Sequence, residues 1–159
     1  MAFPRFYFLS REELIKIVSK AKQPNALQHS FQKCFDGIRA VAVASNGTTI
    51  EGLYSADGDK LDLDSPVSTL APVQQWFTAL ETAMVASLKR RLKVALQSRA
   101  GGGQDVQHWV YEHPAQCVLT AAMIYWCSNT EHALQLMQSD GDYAAFEDCL
   151  KETNKDIQQ

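Results

Sequence analysis

The hydrophobic period of the chain changes in its middle, and this change limits the fold more than any other feature. A stretch rich in valine and alanine leads into Asn46-Gly47, the strongest short signal for a β-hairpin. Residues 48–54 return as a second predicted strand, and after a turn at Asp57-Gly58 residues 60–64 alternate as a third. Three short strands with one apolar face are stable only if another element covers that face. The sequence therefore predicts an antiparallel β-meander at about 38–64 with a helix packed on it.

The first ten residues predict a buried segment that leads into a helix. Four aromatic residues lie within the first eight positions, which is too apolar for a free, fraying terminus. Pro4 favours an extended conformation for the residue before it, and the capping-box pattern Ser10-Arg11-Glu12-Glu13 opens a helix. We therefore expect an extended segment plus two helices over residues 3–37. The first helix is expected to bury Leu14, Ile15, Ile17 and Val18, and the second to span Asn25 to Phe35 with Gly37 at its C-terminal cap.

Helical spacing returns after the meander and dominates the rest of the chain. Pro72 suits a first helical turn, and apolar residues then recur three and four positions apart. This pattern predicts a long amphipathic helix over 72–100, about seven turns or roughly 40 Å long. Further helices are expected over 105–158, with a kink or a new start at Ser128-Asn129-Thr130-Glu131. The sequence thus indicates an α+β, mainly α fold: a helical array with a small antiparallel β-hairpin or meander inserted at about 38–64.

Composition and charge exclude several classes of partner. With 159 residues, 46% of them hydrophobic and 21% charged, the chain has the length and make-up of one globular domain, and we treat 1–159 as a single partial domain. A formal net charge of −3 provides no basic surface for nucleic acid or an anionic membrane. No apolar run approaches the length of a membrane span, and no secretory signal opens the chain. The cysteines are scattered, which predicts free thiols in a reducing cytoplasm.

Motifs for catalysis, cofactors and metals are weak. A nucleotide-binding P-loop needs a Lys-Ser/Thr pair after its glycines, and Gly101-Gly102-Gly103 has none. His108, His113 and Cys117 form an H-x4-H-x3-C pattern, whereas a structural zinc site usually shows two tight ligand pairs. The aspartates between positions 57 and 64 lack the glycine placement and the terminal glutamate of an EF-hand loop. We predict no catalytic, cofactor-binding or metal residue; the competing hypothesis is a small enzyme that uses His108 or His113 beside a cysteine.

Aromatic and basic residues are the better candidates for an interaction surface. Phe6 and Phe8 are hard to bury within this chain alone, and exposed aromatic side chains favour association. Lys89, Arg90 and Lys93 lie on the long predicted helix, where they either form a solvated face or dock against an acidic partner. The predicted interaction surface is therefore made of Phe6, Phe8, Lys89, Arg90 and Lys93.

Several short motifs, in the same order along the chain, carry a resemblance to one family. They are Phe3-Pro4-Arg5-Phe6-Tyr7-Phe8-Leu9-Ser10, Lys33-Cys34-Phe35-Asp36-Gly37-Ile38, Ser55-Ala56-Asp57-Gly58-Asp59 with Pro66-Val67, Val73-Gln74-Gln75-Trp76-Phe77, and Pro114-Ala115-Gln116-Cys117-Val118-Leu119-Thr120. The set resembles the linker region of dynein heavy chains, the mechanical element upstream of their AAA+ ring, and its last motif is more similar to the axonemal type. The chain departs from the family pattern at Gly101-Gly102-Gly103-Gln104, and at His113, where an aromatic residue is frequent.

The resemblance implies a non-catalytic mechanical role. Such a linker segment couples ATP-driven changes in the AAA+ ring to movement along microtubules, so ATP and Mg²⁺ are expected only in the ring modules of a parent motor ATPase. The implied partners are the AAA+ ring and the remaining linker and tail of the same heavy chain, with dynein intermediate and light chains and microtubules reached through the parent complex. The implied location is the cytoplasmic cytoskeleton, in the axoneme of a cilium or flagellum. The alternative is a free-standing interaction module that binds a helix or peptide through exposed aromatic side chains.

Overall fold

The computed structural model describes residues 3–100, 106–140 and 143–158 of the chain. A three-stranded sheet lies between helical segments, so the predicted α+β, mainly α fold is confirmed. The elements are a 3-10 helix Pro4–Phe8, α1 Arg11–Ser19, a second 3-10 helix Pro24–Leu27, α2 Gln28–Cys34, β1 Ala40–Val43, β2 Thr49–Tyr54, β3 Lys60–Ser68, α3 Val73–Ala100, α4 Val106–Glu112, α5 Ala115–Asp140 and α6 Tyr143–Gln158.

The chain divides into two compact units, Met1–Arg90 and Arg91–Gln159, and each is described by itself. The first unit contains the sheet, α1, α2 and the first part of α3. The second contains the last part of α3 with α4, α5 and α6. The treatment of residues 1–159 as a single partial domain stays a prediction.

The predicted β-meander is confirmed, and helical residues cover it. The strands pair antiparallel in the order β1-β2-β3, and Asn46 forms the first turn because its Oδ1 accepts hydrogen bonds from the N–H groups of Thr48 and Thr49. Gly47 has a φ of 72°, which suits glycine in a tight hairpin. The Gln28 side chain of α2 both donates to and accepts from the backbone of Val41, so it satisfies part of an otherwise open sheet edge.

Strand β3 runs past the predicted boundary at residue 64, because Pro66 does not end it. Proline is tolerated on an edge strand, where its missing N–H is not needed by a neighbour, and β3 is an edge strand. The register jumps along its length: Gly52 of β2 lies opposite Asp62, whereas Ile50 lies opposite Val67. Residues 63–66 therefore leave the ladder as a bulge.

The extended segment predicted near the N-terminus is wrong beyond Phe3. Phe3 has the extended φ and ψ of −63° and 117° that a following proline favours, but Pro4–Phe8 forms a 3-10 helix. The predicted capping box at Ser10 is confirmed, with reciprocal hydrogen bonds between Ser10 and Glu13. A hydrogen bond from the Lys33 side chain and one from the Ser10 backbone lower the pKa of Glu13 from 4.5 to about 2.

The second predicted helix begins later than expected. Pro24–Leu27 is a 3-10 helix, and α2 starts only at Gln28, since Leu27 has a non-helical φ and ψ of −108° and 7°. Phe35, in an extended conformation, caps α2. The placement of Gly37 as the C-terminal cap is therefore wrong.

The core of the first unit is an aromatic cluster centred on Phe77 of α3. The centroid of the Phe77 ring lies 4.3 to 6.2 Å from those of five other rings, Phe3, Phe6, Phe31, Phe35 and Trp76. Aromatic pairs at such distances add to the free energy gained from burial. The sheet contributes Ile50, Leu53, Leu61, Leu63 and Val67 to the same cluster.

In the second unit, two long side chains bond to backbone oxygens of α3. The Trp109 indole N–H donates to the carbonyl of Ala95 at 3.0 Å, and the Tyr125 hydroxyl donates to that of Leu96 at 2.6 Å. Helix α5 is continuous over Ala115–Asp140, so the new helix start predicted as one alternative at residues 128–131 is wrong, and the kink stays a prediction.

Candidate interaction surface

The N-terminal 3-10 helix divides four aromatic residues between the core and the surface. Phe3, just before the 3-10 helix, and Phe6 within it both enter the core, where their rings are in contact and they are 2% and 8% exposed. Tyr7 and Phe8 then lie on the other side and are 84% and 81% exposed. Phe6 is therefore a core residue, which corrects its place in the predicted surface, whereas Phe8 is available for contact.

Arg5 holds this 3-10 helix against two other elements of the first unit. Its guanidinium donates to the carbonyl of Cys34 at 3.2 Å and to the carboxylate of Glu81 at 2.7 Å, and it lies 4.9 Å from the centroid of the Phe35 ring. A planar guanidinium suits this combination of hydrogen bonding and stacking. Sequence reasoning missed Arg5, since its partners lie 29 and 76 positions away.

Helix α1 adds a second group of exposed apolar side chains. Ile17 is fully buried, but Ile15 and Val18 are 61% and 63% exposed, so their predicted burial is wrong. Successive positions on a helix are about 100° apart, and the four apolar positions from Leu14 to Val18 therefore cover two faces. This angular spacing is the feature of the sequence that indicates a second apolar face of α1, exposed to solvent. The exposed apolar side chains near the N-terminus are therefore those of Tyr7, Phe8, Ile15 and Val18.

The three basic residues of the predicted surface have different environments. Lys89 is exposed in the first unit, and Lys93 is exposed in the second. Arg90 instead binds Asp64 of the β3 bulge through two hydrogen bonds, from Nε and from Nη2. The hydrogen bond with Asp64 raises the pKa of Arg90. Of the three, Lys89 and Lys93 remain the cations placed for contact with a partner.

Ser87 completes the attachment of the β3 bulge to α3. Its hydroxyl accepts a hydrogen bond from the N–H of Asp64 at 3.0 Å and donates to the carbonyl of Ala83 at 2.8 Å. The residue is fully buried. Asp64, Ser87 and Arg90, hereafter called the bulge clasp, therefore join the sheet to α3, because the bulge turns the Asp64 backbone away from β2.

The side chains weighed for metal binding or catalysis have separate partners. His108 lies 3.0 Å from the Glu112 carboxylate, and His113 Nε2 lies 3.0 Å from the Ser98 hydroxyl. Among residues 3–100, 106–140 and 143–158, no three histidine, cysteine, aspartate or glutamate side chains are grouped as metal ligands. Burial raises the pKa of the Cys34 thiol to about 11, which opposes thiolate chemistry there. The predicted glycine loop at 101–103 lies outside the described residues.

Within the described part of the chain, no helix combines enough length with enough apolar character to cross a bilayer.

Residues 1–95 match the model of a known family. The matching family is described as dynein heavy chain, N-terminal region 2. The matched range contains the N-terminal 3-10 helix, the sheet and most of α3.

Individual dynein heavy chains are similar over most of this chain. The dynein-1-beta heavy chain of the flagellar inner arm I1 complex from Chlamydomonas reinhardtii is 37% identical over 138 residues, covering 83% of this chain and 3% of that protein. Dynein axonemal heavy chain 12 from Rattus norvegicus is 34% identical over 136 residues, covering 83% and 4%. The cytoplasmic dynein heavy chain of Caenorhabditis elegans is 32% identical over 140 residues, covering 84% and 3%. The chain thus spans only 3% to 4% of the length of these relatives.

Proposed function

This chain belongs to the dynein heavy chain family, and from that membership we propose that it is a non-catalytic mechanical linker segment. In this role it couples ATP-driven changes in an AAA+ ring to movement along microtubules. ATP and Mg²⁺ bind in the ring modules of the parent motor and not in this segment. The proposed location is the cytoskeleton, in the axoneme of a cilium or flagellum, because two of the three relatives described above are named as flagellar or axonemal.

The single observation that carries the proposal is the continuity of α3. The helix runs for 28 residues, about 42 Å at 1.5 Å per residue, and it supplies core residues to each unit. Trp76, Phe77 and Leu80 belong to the core of the first unit, and Ala95 belongs to that of the second. Residues 73–100 contain no proline or glycine, the usual causes of a sharp kink. Such a helix passes on a displacement with little internal deformation.

Contact with the ring and the rest of the linker is assigned to exposed side chains on the described surface. Phe8 offers an aromatic anchor, and Lys89 and Lys93 offer cations for an acidic surface of the ring. The remaining linker and tail of the same heavy chain are the other direct partners, and intermediate chains, light chains and microtubules are reached through the parent complex. A linker of this kind switches because the ring's nucleotide state binds one of two packed arrangements more strongly.

The test uses a complete heavy chain that carries this segment. Replacing Lys89 and Lys93 together by glycine lowers the helix propensity of α3 by about 1 kcal/mol per site relative to alanine. Replacing both by alanine is the matched control, since it removes the same charges and keeps the helix. We expect the glycine pair to slow microtubule gliding several-fold while basal ATP hydrolysis stays near its original rate.

The alanine pair separates helix continuity from charge. If the alanine pair slows gliding as much as the glycine pair, contact through the lysines is the important feature and not the stiffness of α3. Normal gliding with the glycine pair would contradict the mechanical proposal.

A second candidate function rests on the exposure of Tyr7 and Phe8. Two neighbouring aromatic side chains, each more than four-fifths exposed, also suit a free-standing module that binds a helix or peptide. The downstream coding sequence discriminates the two candidates: an AAA+ P-loop in the same reading frame favours the motor, and its absence favours the module.

A further inference from the structure

Helix α5 of the second unit has a row of large apolar side chains that its own unit does not cover. Leu119, Met123 and Trp126 follow each other at helical spacing and are 68%, 63% and 51% exposed. Cys127, next to Trp126, is also exposed. These four residues are hereafter called the α5 stripe. On the other side of the helix, Val118 and Ala121 belong to the core of the unit.

The composition of α5 does not fit a helix that faces water. Residues 115–130 contain no aspartate, glutamate, lysine or arginine, and the first charged residue after them is Glu131. A solvated helix face normally carries charged residues, whereas the polar side chains among residues 115–130, such as Gln116 and Thr120, are all uncharged. The exposed α5 stripe therefore indicates that a further structural element packs on this face of the helix.

Described side chains of the neighbouring helix α6 lie against the later part of α5. Ala133 of α5 is buried, and the Thr130 hydroxyl lies 4.0 Å from the Cys149 sulfur of α6. The stripe lies before these positions in the chain. Within the described residues, the core cluster of the second unit has only two large side chains, Trp109 and Val118. A core of this size, to which Leu92 and Leu96 add partly buried side chains, gives the unit little hydrophobic stabilisation of its own.

We propose that the α5 stripe is the permanent docking face for an amphipathic helix of the same heavy chain that lies outside residues 1–159. The contacting side of that helix is uncharged, because a charge placed against residues 119–127 would lose its water without gaining a partner. One lysine or arginine at its end meets Glu131, which is exposed and one helical turn beyond Cys127.

The same polypeptide is the favoured source of the helix for two reasons. The cover must be present whenever the second unit is folded, which a covalently linked segment ensures. The relatives of this chain are also far longer than the matched region, which spans 3% to 4% of them. The proposal rests on membership in the family and does not depend on the mechanical role proposed above.

The labelling rate of Cys127 in the complete, native heavy chain measures directly whether another helix covers the α5 stripe. We expect its maleimide labelling, quantified by mass spectrometry of the peptide that contains it, to be about tenfold slower or more than that of a cysteine introduced at exposed Gln97 by Gln97→Cys. Unfolding in urea should make the two rates equal. Equal rates in the native protein would overturn the proposal.

A photo-crosslinker identifies the occupant. We expect benzoylphenylalanine placed at Met123 to form a crosslink to a helical segment of the heavy chain beyond residues 1–159, and the same group placed at exposed Gln97 to form little. Mixing isotopically light and heavy chains separates crosslinks within one polypeptide from those between two copies. Crosslinks to a second copy, to another protein or to a segment whose contacting side is charged would each overturn the proposal. The crosslinking result does not depend on the motility of the lysine variants. The docking proposal can therefore be overturned without overturning the mechanical proposal, and the reverse also holds.

Discussion

Alanine substitutions at two phenylalanines of one 3-10 helix should have very different effects on stability. Phe6 is 8% exposed and Phe8 is 81% exposed, although only Tyr7 separates them. The Phe6 ring makes edge-to-face contacts with Phe3 and Phe77, at centroid distances of 5.2 and 5.0 Å. Phe6→Ala therefore removes a phenylalanine side chain from the core, and Phe8→Ala removes one from the surface.

The size of the effect follows from burial and ring contacts. Burying a phenylalanine side chain stabilises a fold by about 1.5 to 3 kcal/mol, and each well-placed aromatic pair adds about 0.5 to 1.5 kcal/mol. Together with the cavity left behind, Phe6→Ala should lower the free energy of unfolding by about 3 to 5 kcal/mol. Phe8→Ala should change it by less than about 0.5 kcal/mol, since its side chain is already in water.

Urea unfolding followed by tryptophan fluorescence measures the difference. With a dependence on urea of about 1 to 2 kcal/mol per molar, Phe6→Ala should lower the unfolding midpoint by about 1.5 to 5 M, and Phe8→Ala by less than about 0.5 M. Hydrogen exchange of the β2 amides checks that the loss is in the first unit. Equal midpoints for the two variants, or a larger loss for Phe8→Ala, would refute the assignment of alternate aromatic residues to core and surface.

Three further changes test other contacts. Ser87→Ala removes the buried hydroxyl that accepts a hydrogen bond from the N–H of Asp64 and should lower the free energy of unfolding by about 0.5 to 1.5 kcal/mol, measured by urea unfolding. NMR titration should give the Glu13 carboxyl a pKa of about 2. Because its ordinary pKa is 4.5, its contribution to stability is complete above pH 4.5 and is lost as the pH falls through 2. Glu13→Gln should abolish this part of the loss of stability in acid. Gly52→Ala places a methyl group 3.0 Å from a backbone oxygen of β3 and should cost about 1 to 3 kcal/mol, whereas Gly37→Ala, with nothing within 4 Å, should cost nothing measurable by thermal unfolding.

Local signals in the sequence predicted much of the fold correctly. The reciprocal bonds of Ser10 and Glu13, the hairpin turn at Asn46-Gly47 and the long helix α3 all follow from residues within a few positions of each other. Each depends on backbone chemistry that a short segment determines by itself. The apolar spacing of α3 extends over 28 residues, which leaves little ambiguity about its type.

Features that depend on distant partners could not be predicted in the same way. The third strand was expected to end at residue 64, and only the strand order shows that β3 is an edge strand that tolerates Pro66. Phe6 was expected at the surface because an extended segment was predicted there, whereas the 3-10 helix Pro4–Phe8 places its side chain against partners far along the chain, such as Phe77. Asp64 and Arg90 are 26 positions apart, and nothing near either residue indicates the other.

The bulge clasp changes how the basic run on α3 should be tested. Arg90 belongs to the internal attachment of the sheet, so replacing it removes two hydrogen bonds to the Asp64 carboxylate at the same time as it removes a charge. Slower motility of an Arg90 variant would therefore say nothing about contact with the ring. Lys89, one position earlier, is exposed and is not part of the clasp. Lys89→Ala changes a surface charge and leaves the clasp intact. Slower motility of the single variant Lys89→Ala is therefore the result that assigns ring contact to this part of α3.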